Sequence, residues 1–157
     1  RLRRAQVVAD VEQIVSQAEA PAELVILEVT ESKIAEDVSS VLSALTRLRL
    51  KGFGISIDDF GTGFSSMEQL RKFPFTELKI DRAFVAGAQQ KPSARAIFES
   101  SVNLAKLLGI SSVAEGAEDA EDLALCRELG VDLIQGYFIA KPMPPEEFLA
   151  WALKRGH

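Results

Sequence analysis

Two adjacent carboxylates, Asp58 and Asp59, follow a largely apolar run at residues 53–57. Beside an apolar segment such a pair is unfavourable, because the two charges repel each other and lose their water. A bound cation would reverse that cost. Residues 61–66 (Gly-Thr-Gly-Phe-Ser-Ser) are typical of a loop. The stretch therefore predicts either a cation site, or an exposed strand end followed by a glycine turn and a serine-capped helix.

Similar polar side chains stand at the ends of the other predicted strands. Acids follow four successive strands, and a lysine accompanies one of them. The residues are Glu28 and Glu31, Asp58 and Asp59, Lys79 and Asp81, Glu115 and Glu118, with Gln135 after the fifth strand. Because the carboxyl ends of strands in parallel α/β folds meet at one face, we expect these side chains to converge.

Converging carboxylates would repel one another strongly without cations, and hard divalent ions such as Mg²⁺ and Mn²⁺ prefer oxygen ligands. Two such ions that share a carboxylate could activate a water molecule and hold a phosphodiester. Lys79 adds a positive charge suited to a phosphate or to orienting the attacking water. The alternative is calcium storage or a purely structural ion, which a lysine among the acids disfavours.

Several of these residues also have simple structural explanations. Glu31 and Glu118 could each stand at the N-terminal end of a helix. Asp81 could cap a loop or pair with Arg82, and Gln135 could be a core amide with satisfied hydrogen bonds. The sequence leaves these alternatives open.

The elements that must position these residues alternate along the chain. Apolar residues at helical spacing predict helices at 6–18, 38–48, 96–108 and 123–129, and Gly109 and Gly130 are expected to end the last two. Short helices are predicted from Ser65 to before Pro74 and from Pro145 onward. Short apolar segments predict strands at 24–29, 53–57, 77–81, 110–114 and 131–134. Strands that alternate with helices in this way favour a parallel sheet.

Composition excludes several classes of function. The formal net charge is −5, which argues against a general nucleic-acid-binding surface and hence against DNA as a partner. The single cysteine, Cys126, excludes an internal disulfide, and His157, the one histidine, is terminal, which excludes a histidine-based metal site or triad. No apolar run reaches the roughly 20 residues of a membrane span, so no direct membrane insertion is expected.

Five motifs in order resemble the EAL domain, the cyclic di-GMP phosphodiesterase family of bacterial signalling proteins. They lie at 28–31 (Glu-Val-Thr-Glu), 58–66 (Asp-Asp-Phe-Gly-Thr-Gly-Phe-Ser-Ser), 78–82 (Leu-Lys-Ile-Asp-Arg), 113–118 (Val-Ala-Glu-Gly-Ala-Glu) and 135–138 (Gln-Gly-Tyr-Phe), with Lys-Pro-Met-Pro at 141–144. The resemblance covers nearly the whole chain. It implies a modified TIM barrel, of which this chain would be a partial (β/α)₈ portion with about five parallel strands.

The same resemblance implies a metal site with Mg²⁺ or Mn²⁺, in a two-ion arrangement. The implied metal ligands are Glu28, Asp58, Asp59 and Glu115, with Asp59 bridging toward the second ion.

It also implies roles for five further residues. Lys79 would hold or orient the catalytic water, and Glu31 would anchor the loop after Asp59 near a dimer contact. Gln135 and Glu118 would complete the site near the substrate, and Asp81 would lie on the substrate side. The implied reaction is hydrolysis of one phosphodiester bond of cyclic di-GMP, which gives linear pGpG.

The chain departs from the pattern of the family in one major respect. A whole barrel has roughly 250 residues, and the Glu-Ala-Leu segment of the family, with its nearby arginine and an asparagine ligand, does not occur in this chain of 157 residues. We therefore expect residues 1–157 to be an N-terminally truncated EAL domain, either a fragment of a longer protein or one that exchanges elements with a second copy.

These observations predict a cyclic-guanylate-specific phosphodiesterase in the full-length parent and a weak or inactive isolated chain. The alternative is a catalytically inactive EAL-like receptor for cyclic di-GMP or a protein-interaction module. We expect a homodimer in the cytoplasm, a parent chain that could carry sensory or GGDEF domains, and membrane anchoring only through a domain outside this chain.

Overall fold

The computed structural model describes residues 2–61 and 70–155, which form one parallel sheet with surrounding helices. The strands are β1 (Ile26–Thr30), β2 (Gly54–Phe60), β3 (Glu77–Ile80), β4 (Ser111–Glu115) and β5 (Leu133–Gln135). The helices are α1 (Leu2–Gln17), α2 (Glu31–Glu36), α3 (Val38–Leu50), α4 (Arg82–Val85), α5 (Pro92–Leu108), α6 (Ala120–Leu129) and α7 (Pro145–Arg155). Two short 3₁₀ turns lie at Ala22–Leu24 and Ala88–Gln90.

The strands stand side by side in the order of the sequence, β1-β2-β3-β4-β5, and every neighbouring pair is parallel. A doubly wound sheet would reverse its strand order near the middle, whereas a (β/α)₈ barrel adds each strand beside the previous one. The uninterrupted order is therefore that of part of a (β/α)₈ barrel. The predicted α/β class and the five parallel strands are confirmed.

The two faces of the sheet differ in polarity at strands β2 and β3. Successive side chains of a strand point to opposite faces. In β2 and β3 the fully buried Ile55, Ile57, Leu78 and Ile80 belong to the main apolar core. The core also contains Phe98 of α5 and other apolar helix residues, so the helices cover this face. The alternate residues Ser56 and Asp58 of β2 and Glu77 and Lys79 of β3 are polar and lie on the opposite face, which carries the predicted site.

Several element boundaries differ from the sequence prediction. Strand β2 continues through Asp58 and Asp59 to Phe60, so the paired acids lie within the strand and not after it. Strand β5 begins two residues later than predicted and includes Gln135. Helices α2 and α4 were not predicted as separate elements, because each is short and lacks a full apolar period. The helix predicted from Ser65 lies largely outside the described residues.

The outer sides of β1 and β5 have no neighbouring strand among the described residues. Apolar side chains are exposed at both edges, with Ile26 of β1 at 49% and Leu133 of β5 at 52% of their full exposure. Unpaired strand edges of this kind present free backbone donors and acceptors. Across residues 2–61 and 70–155, no helix has both the length and the hydropathy that crossing a membrane requires.

Candidate metal centre

Four consecutive strands bring one lysine and three carboxylates together on the polar face of the sheet. Lys79 of β3 is central, and its Nζ lies 2.8 Å from Glu28 Oε1 of β1 and 2.8 Å from Glu115 Oε1 of β4. It also lies 3.2 Å from Asp58 Oδ1 of β2. The parallel register causes this convergence, because it places the ends of β1 to β4 side by side.

The ammonium group of Lys79 is protonated among these carboxylates. Burial by itself would lower the pKa of Lys79, but the neighbouring carboxylates of Glu115, Glu28 and Asp58 outweigh burial and raise that pKa well above its usual value. Lys79 is therefore a permanent cation and a hydrogen-bond donor at neutral pH. In this arrangement it donates hydrogen bonds and does not act as a general base.

A bulge in β2 explains how two adjacent carboxylates reach the same site. In a regular strand Asp58 and Asp59 would point to opposite faces. The pairing of β2 with β3 instead shifts register between Ile57 and Phe60, and Asp59 has a positive φ of 56°. One carboxylate oxygen from each of Asp58, Asp59 and Glu115 consequently lies within 4.8 Å of the other two. A β-bulge commonly redirects a side chain in this way.

Two members of the three-carboxylate cluster of Asp58, Asp59 and Glu115 have raised pKa values. Burial raises the pKa of Asp59, and the neighbouring carboxylate of Asp58 raises it further. Burial also raises the pKa of Glu115, although Lys79 opposes that change. Asp58 Oδ1 is within ion-pair distance of Lys79, but the geometry is not that of a hydrogen bond, so this buried oxygen lacks a hydrogen-bond partner. These properties fit a divalent cation, which oxygen ligands of this kind could hold.

Three other predicted site residues, Glu28, Glu31 and Asp81, lie outside the three-carboxylate cluster. Glu28 contacts Lys79 but is not a member of the three-carboxylate cluster, and its side chain is half exposed. Glu31 is buried at the start of α2, as the structural alternative allowed. The loop that the resemblance assigns to Glu31 lies outside the described residues. Asp81 caps α4 by accepting a hydrogen bond from the Ala83 N–H at 2.8 Å.

A cavity of about 680 Å³ adjoins the cluster, and Glu115 belongs to both. Its walls combine charged, amide and aromatic side chains, which include Arg82, Glu115, Glu118, Gln135, Tyr137 and Trp151. Glu118 and Arg82 form an ion pair at this wall. A cavity of this size with a few polar groups is suitable for a small organic ligand.

Two residues of this site region were missed in the sequence. Arg82 was considered only as a partner of Asp81, but it pairs with Glu118 instead. A basic residue directly after a strand that carries Lys79 was the available signal. Asp122 was not singled out at all, although it is almost fully buried and accepts hydrogen bonds from the backbone of Gly87 and Glu118. An acid three residues after a helix cap is common, so its sequence position gave no warning.

Comparison with known proteins gives consistent results. The family model described as "EAL domain" matches residues 1–142. Cyclic di-GMP phosphodiesterase RocR of Pseudomonas aeruginosa is 43% identical over 129 residues, which cover 82% of this chain and 33% of RocR. Cyclic di-GMP phosphodiesterase NbdA of the same organism is 38% identical over 151 residues, which cover 94% of this chain and 19% of NbdA.

A solved structure gives the same picture. The structure titled "PaMucR Phosphodiesterase, c-di-GMP complex" superimposes with a TM-score of 0.88 and 38% identity, covering 92% of this chain and 58% of that one. The chain spans a third or less of the length of the curated relatives that it matches first.

Proposed function

The chain belongs to the EAL domain family, and from this premise we propose that it forms the metal-binding and catalytic part of a cyclic di-GMP phosphodiesterase. The reaction is hydrolysis of one phosphodiester bond of cyclic di-GMP to linear pGpG. The observation that carries the proposal is the convergence of Glu28, Asp58, Lys79 and Glu115 from four consecutive strands. Relatives named cyclic di-GMP phosphodiesterases, and a related phosphodiesterase solved in a cyclic di-GMP complex, support the substrate.

The proposed metal is Mg²⁺ or Mn²⁺, in a two-ion site. Asp58, Asp59 and Glu115 are the proposed ligands at the cluster, with Asp59 bridging toward a second ion and Glu28 completing the set across Lys79. Hard oxygen ligands, and the buried Asp58 Oδ1 that has no hydrogen-bond partner, support this choice. When bound, such ions lower the pKa of water and neutralise charge on a phosphoryl group.

Lys79 is proposed to orient the attacking water. Beside the three carboxylates its pKa is raised, so in this arrangement Lys79 is a charged hydrogen-bond donor. In the structure its ammonium group is shared among three carboxylates. Once cations share those carboxylates, the ammonium group can donate a hydrogen bond to water or to a phosphate oxygen. Such a donor suits a reaction in which water attacks phosphorus and one phosphorus–oxygen ester bond breaks.

The adjoining cavity is proposed to hold part of the nucleotide. Glu118 and Gln135 are proposed substrate contacts, and Arg82 at the same cavity wall offers a positive charge for a phosphate. Tyr137 supplies an aromatic face on which a base could stack. Asp81 remains a predicted residue of the substrate side, beside Arg82 at the start of α4.

The unpaired outer edges of β1 and β5 are the basis of a proposal about the extent of the domain. We propose that residues 1–157 are part of an EAL domain whose sheet is completed by further strands, from the same polypeptide or from a second copy. Exposed Ile26 and Leu133 at the two edges support this. A homodimer with Glu31 near its contact, sensory or GGDEF domains in the parent chain, and a cytoplasmic location remain predictions.

The test is hydrolysis of cyclic di-GMP by the longer protein that contains this chain, with Mn²⁺ present. Asp58→Asn removes the negative charge of one proposed ligand and is expected to lower kcat by about 100-fold or more. Asp10→Asn is the matched control, because Asp10 lies exposed on α1, away from the sheet, and accepts a hydrogen bond from Gln6 of the same helix. Absence of turnover in the longer protein would reject the proposal. Binding without hydrolysis would instead support a non-catalytic receptor.

A further inference from the structure

Asp122 is a buried acid that lies outside the metal-binding cluster. It is the third residue of α6 and only 2% exposed. Its Oδ1 accepts a hydrogen bond from the Gly87 N–H at 2.8 Å, and its Oδ2 accepts one from the Glu118 N–H at 2.9 Å. A buried carboxylate is unfavourable unless such donors compensate it, so both bonds are needed to keep Asp122 in place.

The two donors belong to the segments that follow the lysine strand and the glutamate strand of the site. Gly87 follows α4, which begins immediately after β3 and Lys79. Glu118 follows β4, whose last residue is Glu115. One carboxylate therefore joins the segment after β3 to the segment after β4.

The segment after β4 is held on its other side as well. The Ala117 N–H donates to the Gln135 carbonyl at 3.2 Å, and the Phe138 N–H donates to the Ala117 carbonyl at 3.2 Å. Ala117 is completely buried, and Gly136 packs so tightly on its backbone that a Cβ would collide with it. Asp122 is thus the contact that fixes this segment from the side of α6.

We propose that Asp122 is a positioning residue, which holds the Glu118–Arg82 wall of the cavity in register with Glu115. This rests on the proposed function of the site. A helix cap alone does not account for Asp122, because Asp119 already caps α6 by accepting from the Glu121 and Asp122 N–H groups at 2.9 Å each. The bond to Gly87 reaches 35 residues along the chain and contributes nothing to α6 itself.

The first test measures amide hydrogen exchange and does not depend on catalysis. Asp122→Ala removes both bonds, and we expect protection of the Gly87 and Glu118 amides to fall by about 10-fold or more. Asp122→Asn keeps the size of the side chain but replaces one acceptor oxygen by an NH₂ group, which only donates, so only one of the two amides should stay protected. Asp119→Ala is the matched control, since it removes an acid from the same helix end and spares both amides.

The second test measures kinetics of cyclic di-GMP hydrolysis and Mn²⁺ affinity in the longer protein. Asp122→Ala should raise KM or weaken Mn²⁺ binding by about 10-fold, as observed for groups that support metal ligands. Asp119→Ala should change both by less than about twofold, although it also lowers thermal stability.

The outcomes separate the two proposals. Unchanged exchange at both amides in Asp122→Ala, or equal kinetic effects of Asp122→Ala and Asp119→Ala, would overturn the positioning role. Lost amide protection in Asp122→Ala, together with weaker Mn²⁺ binding but no hydrolysis by any variant, would support the positioning role and reject the phosphodiesterase.

Discussion

Replacing Lys79 by methionine tests the electrostatics of the candidate site directly. The methionine side chain keeps most of the volume and removes the charge that holds Glu28, Asp58 and Glu115 together. We expect Lys79→Met to destabilise the metal-free chain, because three carboxylates would then repel one another across the same face of the sheet.

The magnitude follows from the burial of each partner. Removing one member of a buried ion pair costs about 3–5 kcal/mol. The Glu28 side chain is 53% exposed, so water screens its share, whereas the side chains of Asp58 and Glu115 are only 21% and 19% exposed. We therefore expect a loss of about 3 kcal/mol, at the lower end of that range. For a chain of this size that corresponds to a fall in Tm of about 6–12 °C.

Added Mn²⁺ should reduce the difference in Tm between the wild type and Lys79→Met. The ammonium group and a metal ion compete for the same carboxylate oxygens, so we expect Mn²⁺ to raise the Tm of Lys79→Met more than that of the wild type. Acid should act in the same direction. The pKa values of Asp59 and Glu115 are already raised, so these groups take up protons readily as the pH falls, and protonation relieves their repulsion. Lowering the pH from 7 toward 5 should therefore stabilise metal-free Lys79→Met relative to the wild type.

The assay is thermal unfolding followed by circular dichroism, with chelator or with Mn²⁺, at both pH values. Lys51→Met is the control, because Lys51 forms a surface ion pair with Glu12 at 2.7 Å and should change stability by less than about 1 kcal/mol. The reasoning is refuted if Lys79→Met and Lys51→Met unfold at the same temperature in chelator, or if Mn²⁺ stabilises Lys79→Met no more than the wild type.

Two further predictions concern the structural support of the sheet. The N–H and hydroxyl of Ser112 both donate to Asp132 at 2.8 Å and hold its pKa below the usual value, so Asp132→Asn should lose about 1 kcal/mol at pH 7. A carboxylate with a lowered pKa stabilises the fold only while it is ionised. The difference in unfolding free energy between the wild type and Asp132→Asn, measured with urea, should therefore shrink as the pH falls below about 3.9. Gly136→Ala would drive a methyl group into the backbone of Ala117 and should cost about 3 kcal/mol in the same assay. Gly109→Ala is its control, since a Cβ there meets no neighbouring atom and only left-handed backbone strain remains, about 1 kcal/mol. Equal costs for the two alanine variants would contradict the predicted collision.

The sequence by itself determined the order of strands and helices and the apolar face of the sheet. Periods of two and 3.6 residues are local properties, so Ile55, Ile57 and Leu78 could be assigned to a core without knowledge of their distant neighbours. The same local pattern located acids at successive strand ends. Because parallel strands present those ends at one face, their convergence could be expected as well.

Only the tertiary structure decided which of these groups touch. Lys79 and Glu28 are 51 residues apart in the chain, and their contact depends on the register of three adjacent strands. The bulge that turns Asp59 toward Asp58 contradicts the alternation that a strand pattern predicts, and the sequence of β2 shows no sign of it. The pairing of Arg82 with Glu118 has the same origin. Local periodicity specifies which face a side chain takes, but register and backbone irregularities specify its partners, and these arise from packing between segments distant in sequence.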